Sequence, residues 1–347
     1  MAVVDQERRL TGSIFDRLGG VHETYGILLP LVLTFIGFSL AVPHFVAISN
    51  LKQVALSVSI TGVLVVGQAP VVITRNIDLS VESIVGFCAF FAGDLLKNGT
   101  MPLAAVLILT LLVGAAMGAV NGLLVAFAEV PSIVATLATL AIYRGLDNLI
   151  FGSGQINARD VPTAYLSLTS GSIGPIPIMV VYPLAAVALG AWVLDRRRAG
   201  RELYAIGSNR LAAGIIGIPV RARVMSTFVV SGLVAAVGGI LWGSFYQTIQ
   251  GTAATGIALP VIAAVVVGGV SVNGGGGRMF GALLGALLLG VFSNGLAVAN
   301  LSSYWAQAVD GAIILVGLTI GTGLHGRALH RRRTVMSEAP ATAGRTA

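Results

Sequence analysis

Residues 53–74 read QVALSVSITGVLVVGQAPVVIT and carry no formal charge. A helix needs about 20 predominantly apolar residues to cross the hydrocarbon core of a bilayer. The unbroken apolar run also differs from the alternating pattern of a transmembrane β-barrel strand. The stretch therefore predicts a membrane-spanning helix.

The composition extends this prediction to the whole chain. Of its 347 residues, 56% are hydrophobic and 10% are charged, and the mean hydropathy is +0.91. A typical soluble domain carries roughly 25% charged residues, and a disordered segment needs low hydrophobicity with high charge density. These values argue against a water-soluble enzyme and exclude disorder. They indicate an all-α, polytopic transmembrane helical bundle.

Ten apolar segments repeat the pattern and predict about 10 transmembrane helices. The segments cover residues 26–48, 53–74, 79–97, 102–127, 131–151, 177–194, 223–245, 257–272, 279–299 and 303–324. The third and the eighth are short or interrupted by glycine, so they are candidates for broken or re-entrant helices. Eight or nine crossings therefore remain open.

Ten crossings place both chain ends in the cytoplasm, and the basic residues support this orientation. In it, seventeen of the 21 Lys and Arg residues lie inside, as the cytoplasmic loops of membrane proteins prefer. The four that lie outside are Lys52, Lys97, Arg144 and Arg159.

This orientation predicts the organisation of the chain. Residues 1–25 form a cytoplasmic N-terminal segment, residues 26–324 form the transmembrane domain, and residues 325–347 form a cytoplasmic basic tail. Within the domain, we expect residues 152–176 to form a periplasmic loop of turns with a short surface helix. Residues 195–222 form the largest cytoplasmic loop.

The cytoplasmic loop holds the most informative pattern. Residues 200–219 read GRELYAIGSNRLAAGIIGIP, with small and apolar residues at helical spacing between polar ends. Asn209 is a plausible helix cap, and Gly217 followed by Pro219 is a stop signal. The pattern predicts a short amphipathic helix under the membrane, either a lipid anchor or a docking helix for a cytoplasmic partner. Small residues favour docking, because a partner's groove needs close approach, whereas an anchor uses Trp, Phe or Leu.

The sequence has no recognisable motif for nucleotide binding, zinc binding or nucleophilic catalysis. A phosphate-binding P-loop needs Gly-Lys-[Ser/Thr], but Lys52 follows Leu51 and Lys97 follows Leu96. Neither a zinc-ligand spacing nor a nucleophile with a neighbouring base is found. The four glycines at 274–277 are predicted to form a tight turn between helices. We therefore expect no enzyme, no bound metal or cofactor, and energy drawn from another polypeptide or an ion gradient.

Ionisable residues inside apolar segments are costly and point to a function. The candidates are Asp78, Glu82, Glu129, Arg144, Asp147 and Asp310. Asp78 and Glu129 lie near predicted helix ends, where capping or solvation explains them, and Arg75 is close enough in sequence to pair with Asp78. Glu82 and Asp310 lie deeper and fit either hydrogen bonds between helices or the lining of a pathway.

Neutral polar residues also interrupt the apolar helices. Asn121, Thr136, Thr139 and Asn294 are candidates to line a pathway, which must bind a hydroxylated substrate weakly enough to release it. The alternative is packing, because Thr bonds its own preceding turn and Asn joins neighbouring helices. The glycines spaced by four between 114 and 122 predict a helix-packing face.

Several stretches together indicate a family. They are residues 76–81 (NIDLSV), 118–125 (GAVNGLLV), 131–137 (PSIVATL), 143–145 (YRG), 200–209 (GRELYAIGSN), 267–271 (VGGVS) and the glycines at 274–277, 281 and 285. Taken together, they resemble the permease subunits of ATP-binding-cassette sugar importers, of the ribose/xylose/arabinose/rhamnose branched permease family. The matching stretches run across most of the chain.

The resemblance implies a multi-pass protein of the bacterial inner membrane that imports a monosaccharide or related polyol. It implies a cytoplasmic ATPase subunit that uses the ATP, a periplasmic sugar-binding protein, and a second permease copy or homologous permease. Membrane lipid is the remaining partner, and nucleic acid is not expected. The ATPase-coupling residues are predicted to be Glu202, Tyr204, Gly207, Ser208, Asn209, Arg210, Ala212 and Gly217. The substrate-pathway candidates are Asn76, Asp78, Glu82, Asn121, Thr136, Thr139 and Asn294.

Two departures from the family pattern bear on the gate and the substrate class. Glu82 stands where the family usually has glycine, and residues 258–260 (ALP) stand where it usually has Glu-Leu-Asp. An alternative function is a self-sufficient secondary carrier or facilitator that uses Glu82 or Asp310 for coupling. The sequence leaves open which sugar is carried, and whether two identical or two different permeases pair.

Overall fold

The computed structural model of the protein describes residues 26–315, except residues 98, 100, 153 and 303. The predicted cytoplasmic segments 1–25 and 325–347 lie outside the described residues. Within the described part, helix is the dominant structure and the strands are two-residue pairs. The all-α fold class is confirmed.

Each of the ten predicted segments contains a helix. In chain order, the helices are α1 (Leu28–Ala41), α2 (Ile48–Ile73), α3 (Val81–Lys97), α4 (Leu103–Ala126), α5 (Ser132–Phe151), α6 (Thr163–Ser170), α7 (Ile178–Arg196), α8 (Arg198–Ser208), α9 (Arg210–Ile215), α10 (Val220–Tyr246), α11 (Ala258–Val267) and α12 (Met279–Val298). Residues 304–315 are helical again.

Six of these helices are long and apolar enough to cross a membrane, namely α2, α4, α5, α7, α10 and α12. The shorter apolar helices are α1 and α11. The polytopic class is therefore confirmed, whereas the count of about 10 crossings stays a prediction.

The centre of the bundle is formed by α2, α3 and α10. The helix α3 packs against α4, α5 and α10, and most of its residues are buried, as expected for a helix that is apolar all around. The helix α10 makes its most extensive contact with α4. There, a Cβ on Gly118 would overlap the Phe228 carbonyl oxygen, so glycine permits the close approach of the two backbones. The predicted packing face at 114–122 is confirmed.

The loop at 152–176 is more ordered than the predicted turns. The strand pairs are β1 (Ile156–Asn157) with β4 (Thr248–Ile249), and β2 (Ser172–Ile173) with β3 (Ile176–Pro177), both antiparallel. The helix α6 lies at the position of the predicted surface helix, but it is docked on α10. Its Tyr165 is buried, and the Tyr165 hydroxyl donates a hydrogen bond to the Ile240 carbonyl at 3.0 Å.

Two irregular segments interrupt the bundle, beside the third and the eighth predicted segments. The first break, residues 74–80, separates α2 from α3, and the second break, residues 250–257, separates β4 from α11. The helices that follow have 17 and 10 residues, fewer than a full crossing needs. Irregular backbone inside a membrane needs hydrogen-bond partners from the protein or from water.

Candidate functional site

The predicted amphipathic helix in the cytoplasmic loop is two helices in the structure. The helix α8 ends at Ser208 and α9 begins at Arg210, with Asn209 extended between them (φ −156°, ψ 102°). The Asn209 Oδ1 accepts a hydrogen bond from the Ala212 amide at 3.0 Å. The predicted cap is confirmed, and the same residue splits the segment because an N-cap leaves helical geometry.

The helix α8 faces the rest of the protein. Glu202 is 6% exposed and forms ion pairs with Arg198 (2.7 Å) and Arg223 (2.5 Å). Hydrogen bonds from Arg223 and then from Arg198 hold the pKa of Glu202 below its ordinary value. The Tyr204 hydroxyl donates to the Gly277 carbonyl at 2.9 Å, and burial raises the pKa of Tyr204 to about 12. These contacts join α8 to α10 and to the glycine turn before α12.

The end of α8 meets the end of α2. The Arg75 Nε donates to the Gly207 carbonyl at 2.5 Å, and the Arg75 Nη2 donates to the Ser208 carbonyl at 2.9 Å. The Gly275 amide donates to the Ile73 carbonyl at 2.9 Å. A Cβ on Gly207 would overlap the Ile73 carbonyl oxygen and the Gly275 amide nitrogen. Three distant parts of the chain therefore meet at Gly207 and leave no room for a side chain.

The predicted pairing of Arg75 with Asp78 is wrong. The guanidinium lies on the carbonyl end of α8 instead, where the partial negative charge of a helix C-terminus attracts a cation. Arg75 has a φ of 64°, which turns the chain sharply at the end of α2. Sequence reasoning missed Arg75 and Gly275 as partners of α8. The available signal for Arg75 was a lone arginine directly after an apolar helix.

The helix α9 faces away from the rest of the described residues. Ala213 is its one buried residue, whereas Leu211 (82%), Ile215 (86%) and the following Ile216 (74%) are largely exposed. The other exposed residues of the segment include Ser208, Asn209, Arg210, Ala212 and Gly217. Exposed large apolar side chains that cluster in this way mark an interaction site. We name Leu211, Ile215 and Ile216 the α9 patch.

A buried polar cluster around Asp78 closes the first break. The Asp78 carboxylate accepts hydrogen bonds from the Ser80 amide (3.0 Å), the Ser80 hydroxyl (2.6 Å) and the Ser231 hydroxyl (2.7 Å). Asn121 donates to the Ser80 hydroxyl at 2.7 Å. The Gln68 amide, in the orientation that satisfies both groups, pairs with the backbone of Asp78 at 3.2 and 3.3 Å. Asp78 thus caps the start of α3, and it does so fully buried rather than solvated.

The first break is also held from α5. The Thr136 hydroxyl donates to the Ser132 carbonyl (2.8 Å) and the Ile77 carbonyl (3.3 Å), and the Ser132 hydroxyl accepts from the Ile77 amide (3.2 Å). Asn76 donates to a carbonyl inside the break at 3.0 Å. The Thr139 hydroxyl donates to Thr136 in its own helix at 3.3 Å. Four predicted pathway residues therefore meet at this break, and Thr139 lies one turn away.

Glu82 reaches the second break. Its Oε2 accepts hydrogen bonds from the amides of Gly256 (2.9 Å) and Ala258 (3.4 Å) at the start of α11. A carboxylate is favourable there, because the first amides of a helix have no partner within the helix. The two departures from the family pattern, at 82 and at 258–260, therefore meet in space. Glu82 joins two elements by hydrogen bonds, which was one of its two predicted uses.

Arg144 holds the second break from α5. Its Nη1 donates to the carbonyls of Gly251 (3.1 Å) and Ala253 (3.0 Å). The Arg144 Nη2 and both carboxylate oxygens of Asp147 are buried without a hydrogen-bond partner among the described residues. Arg144 therefore donates hydrogen bonds to carbonyls of the second break, and Glu82 accepts hydrogen bonds from amides there. Arg144 and Asp147 also have side-chain atoms without a described hydrogen-bond partner.

The remaining candidates lie apart from both breaks. Asn294 is half-buried in α12, and its amide oxygen has no hydrogen-bond partner within the described part of the chain. Asp310 is 7% exposed in the helical residues 304–315. Glu129 forms an exposed ion pair with Arg221 at 2.7 Å, which agrees with its predicted solvated position. No described hydrogen bond joins these three to residues 74–80 or 250–257.

The chain is similar in sequence to a known family and to known proteins. Residues 50–318 match the family described as "Branched-chain amino acid transport system / permease component". The autoinducer 2 import system permease protein LsrC of Enterobacter sp. (strain 638) is 35% identical over 310 residues, which cover 88% of each chain. The ribose import permease protein RbsC of Escherichia coli (strain K12) is 34% identical over 316 residues, which cover 90% of this chain and 97% of RbsC. No solved structure matches the chain.

Proposed function

This chain belongs to the branched-chain amino acid transport system / permease component family, and on that premise we propose that it is the permease subunit of an ATP-binding-cassette importer. The cargo is a monosaccharide or a related polyol, a choice supported by the likeness to a ribose import permease. The subunit spans the bacterial inner membrane. A separate cytoplasmic ATPase supplies the energy, and a periplasmic sugar-binding protein delivers the cargo.

The α9 patch carries this proposal. An ATPase that drives a permease must contact it on the cytoplasmic side, where we place residues 195–222. Three large apolar side chains are exposed along α9 and at its C-terminal cap, and buried residues of α8 fix the position of the segment. A few central residues contribute most of the binding energy at a protein interface, and we assign that role to this patch. The patch contains no Trp or Phe, but its Leu211 is of a type that a lipid anchor also uses, so ATPase-binding measurements distinguish docking from anchoring.

A closed circuit of contacts links this surface to both breaks. Arg75, at the start of the first break, holds the end of α8. The helix α3 follows that break, and its Glu82 holds the start of α11. The helix α11 leads back through the turn at 274–277 to Gly207. A displacement of α8 by the ATPase therefore moves both breaks together, which is how ATP binding would switch the pathway between its two openings.

We place the substrate pathway beside the second break. The 10 residues of α11 span about 15 Å, half of a hydrocarbon core of about 30 Å, so residues 250–257 lead from β4, which pairs with the predicted periplasmic loop, towards the middle of the membrane. Thr252, Thr255 and Gly256 are exposed there. Irregular backbone at this depth must face protein or a water-filled cavity rather than lipid. A second permease copy or a homologous permease that covers this face would enclose a polar pathway.

Residues with unused hydrogen-bonding capacity are the best suited to bind substrate hydroxyls. Asn121 and Asn294 each have an amide oxygen without a partner in the described part of the chain. Asp147 and Arg144 add unpartnered buried atoms on α5, and Glu82 is half-buried beside the exposed part of the second break. We propose these five for the pathway. Only Oε2 of Glu82 accepts described hydrogen bonds, and Asn294 of α12, which lies apart from both breaks, belongs to a separate stretch of the pathway.

The other predicted pathway residues have a supporting role in this proposal. Asn76, Asp78, Thr136 and Thr139 use their side chains in hydrogen bonds within the protein. A group that is already satisfied gains little from a substrate hydroxyl, because the new bond must replace an existing one. These residues therefore shape the first break beside the pathway.

Reconstitution into liposomes tests the function. We expect accumulation of labelled ribose, or of another sugar from a panel, only with ATP, the ATPase and the binding protein together. Accumulation by the chain alone under a proton or sodium gradient would overturn the proposal in favour of the secondary carrier. The variants Glu82→Gln and Asp310→Asn would then identify the coupling carboxylate. No finding favours that alternative, and the Glu82 carboxylate is engaged by two backbone amides.

Site-directed labelling tests the orientation. Cys88 is the single cysteine and is buried, so Cys88→Ser provides a background without reactive thiols. In that background, Leu211→Cys should react with an impermeant maleimide only from the cytoplasmic side. Ser167→Cys, in the predicted periplasmic loop, should react only from the opposite side. Labelling of position 211 from the periplasm would exclude ATPase docking on α9.

A further inference from the structure

A groove runs along the outside of the bundle between α7 and α10. Both helices pack on α2, but they make almost no contact with one another. The space between them is a cavity of about 400 Å³, and its walls include Val66, Gly190, Val193, Val230 and Leu233. Because α7 and α10 are both candidate spans, the groove lies at the depth of the membrane.

The mouth of the groove faces the surroundings of the bundle. Leu189 (61%) of α7 is exposed beside it, as are Val230 (42%) and Leu233 (41%) of α10. These apolar side chains border an apolar channel that leads inward to Val66 and Met279. A surface of this composition at membrane depth is solvated by lipid chains rather than by water.

The cytoplasmic end of the groove is closed by α8, and several arginines flank the closing residues in sequence. Ala199, Gly200 and Leu203 of α8 form the floor. The Arg197 guanidinium lies 4.0 Å from the centre of the exposed Trp192 ring of α7. The arginines at 196, 197, 198 and 201 flank the floor residues in sequence, and Arg223 forms an ion pair with Glu202 of α8. The carboxylates in the same stretches are Asp195 and Glu202, so positive charge is in excess.

We propose that this groove binds an anionic glycerophospholipid of the inner leaflet. One acyl chain lies between α7 and α10, and the phosphate lies against the arginines at the cytoplasmic end. The groove is apolar within the membrane and cationic at the inner membrane surface. A phospholipid matches this arrangement, because its acyl chains lie in the membrane and its anionic headgroup lies at the surface. Basic pockets between membrane helices on the cytoplasmic side bind anionic headgroups in the same way.

Charge decides between this occupant and a second copy of the chain. The chain carries 21 basic and 14 acidic residues, so a second copy brings net positive charge towards the arginines. An anionic lipid brings the opposite charge and a matching apolar chain. The site also bears on α8, because the lipid would pack on the same helix that Glu202 anchors. It does not depend on which cargo the protein imports.

Native mass spectrometry of the purified full-length chain tests the site. The protein is released from detergent micelles that contain equal amounts of phosphatidylglycerol and phosphatidylcholine. We expect retained phosphatidylglycerol in preference to phosphatidylcholine. Equal retention of the two lipids, or retention of neither, would overturn the proposal.

Two variants locate the bound lipid. Val230→Trp fills the groove, and Arg197→Gln combined with Arg201→Gln removes two exposed cations without touching the core. Each variant should lower phosphatidylglycerol retention by about tenfold. Val230→Trp occupies the space of the acyl chain, and the double variant removes two arginines, each of which contributes a several-fold factor near an anionic headgroup. Leu112→Trp on exposed α4 and Arg159→Gln in the predicted periplasmic loop are matched controls and should retain lipid like the parent. Equal retention by the arginine variant and the parent would place the lipid elsewhere, even if Val230→Trp failed to fold.

Discussion

The helices α8 and α9 follow one another in a single loop, yet they face opposite ways. Five residues of α8 are buried, among them the charged Glu202, whereas Ala213 alone is buried in α9. Leu203 and Ile206 of α8 are buried, whereas Leu211 and Ile215 of α9, side chains of the same kinds, are exposed. Burial here follows the available partners rather than hydrophobicity. The helix α8 has its partners within the chain, and we propose that α9 has its partner in another protein.

The largest expected effect comes from a variant that disrupts the close contact between the end of α8, the end of α2 and the glycine turn. In Gly207→Val, the new side chain would overlap backbone atoms of Ile73 and Gly275, which cannot move independently. Overpacking costs typically 1–3 kcal/mol of stability, and we expect about 3 kcal/mol here because both obstacles are backbone. Thermal unfolding and ATP-driven uptake measure the outcome, and uptake should be lost.

A matched variant in α9 controls this experiment. No atom lies within 4 Å of a Cβ on Gly214, so Gly214→Val should leave the unfolding temperature almost unchanged. If the two variants unfolded at the same temperature, the proposed difference between a packed α8 and an exposed α9 would be wrong.

The next effect separates docking from folding. Leu211→Asp combined with Ile215→Asp should weaken ATPase binding by about 100-fold, because the loss of two apolar interface contacts at about 1.4 kcal/mol each gives that factor. The free energy of unfolding should change by less than about 0.5 kcal/mol, since both side chains are exposed. Affinity for the immobilised ATPase and thermal unfolding measure the two quantities. Gly214→Ser on the same helix, at a position outside the predicted coupling residues, is the control. Unchanged affinity in the double variant would show that the ATPase binds elsewhere.

A smaller effect tests the link between α8 and the first break. Arg75→Gln removes a charged donor from the Gly207 and Ser208 carbonyls. Hydrogen bonds to charged groups contribute about 1.5–3 kcal/mol when buried, and solvent at the exposed Arg75 reduces this to about 1–2 kcal/mol. We expect about tenfold slower uptake with normal ATPase binding. Arg75→Lys should restore part of the rate, because an ammonium reaches one carbonyl but cannot match the guanidinium fork. An uptake rate of Arg75→Gln equal to that of the parent would show that Arg75 does not couple α8 to the first break.

The smallest expected effect concerns acid. The pKa of Glu202 is lowered in the folded protein, so its ion pairs stabilise α8 fully above the ordinary glutamate pKa of about 4.3. This stability is lost only as the pH falls below that value towards the folded pKa. Cysteine accessibility of Leu203→Cys in the Cys88→Ser background should therefore stay low between pH 7 and pH 5 and rise below about pH 4. Glu202→Gln should remove this dependence, and a rise already near pH 6 would contradict the lowered pKa.

The parts of the fold that composition governs were predictable. The ten apolar segments each contain a helix, the glycines between 114 and 122 form a packing face, and Asn209 caps α9. Each of these features depends on residues within a few turns of each other. The full count of crossings is a different matter, because α3 and α11 are too short for composition alone to decide whether they cross.

The site was predictable only in part. The segment 200–217 was found by its pattern, but its division into a buried and an exposed helix was not. Arg75 was considered a possible partner of Asp78, three residues on in the sequence, whereas its partners lie 132 and 133 residues away. Glu82 and Arg144 were suspected because charge in an apolar helix is costly, yet their common target, the backbone at 251–258, has no signature in the sequence.

The amino-acid sequence by itself determined that this is a helical membrane protein of a transporter permease family, because the partition of a segment into the bilayer depends on that segment's own side chains. The tertiary structure decided which polar groups are satisfied, which face of residues 198–217 is free, and that Gly207, Ile73 and Gly275 meet. Those features depend on the packing of segments far apart in the chain. Inside a membrane each buried polar group must find its partner wherever the packing brings one within reach.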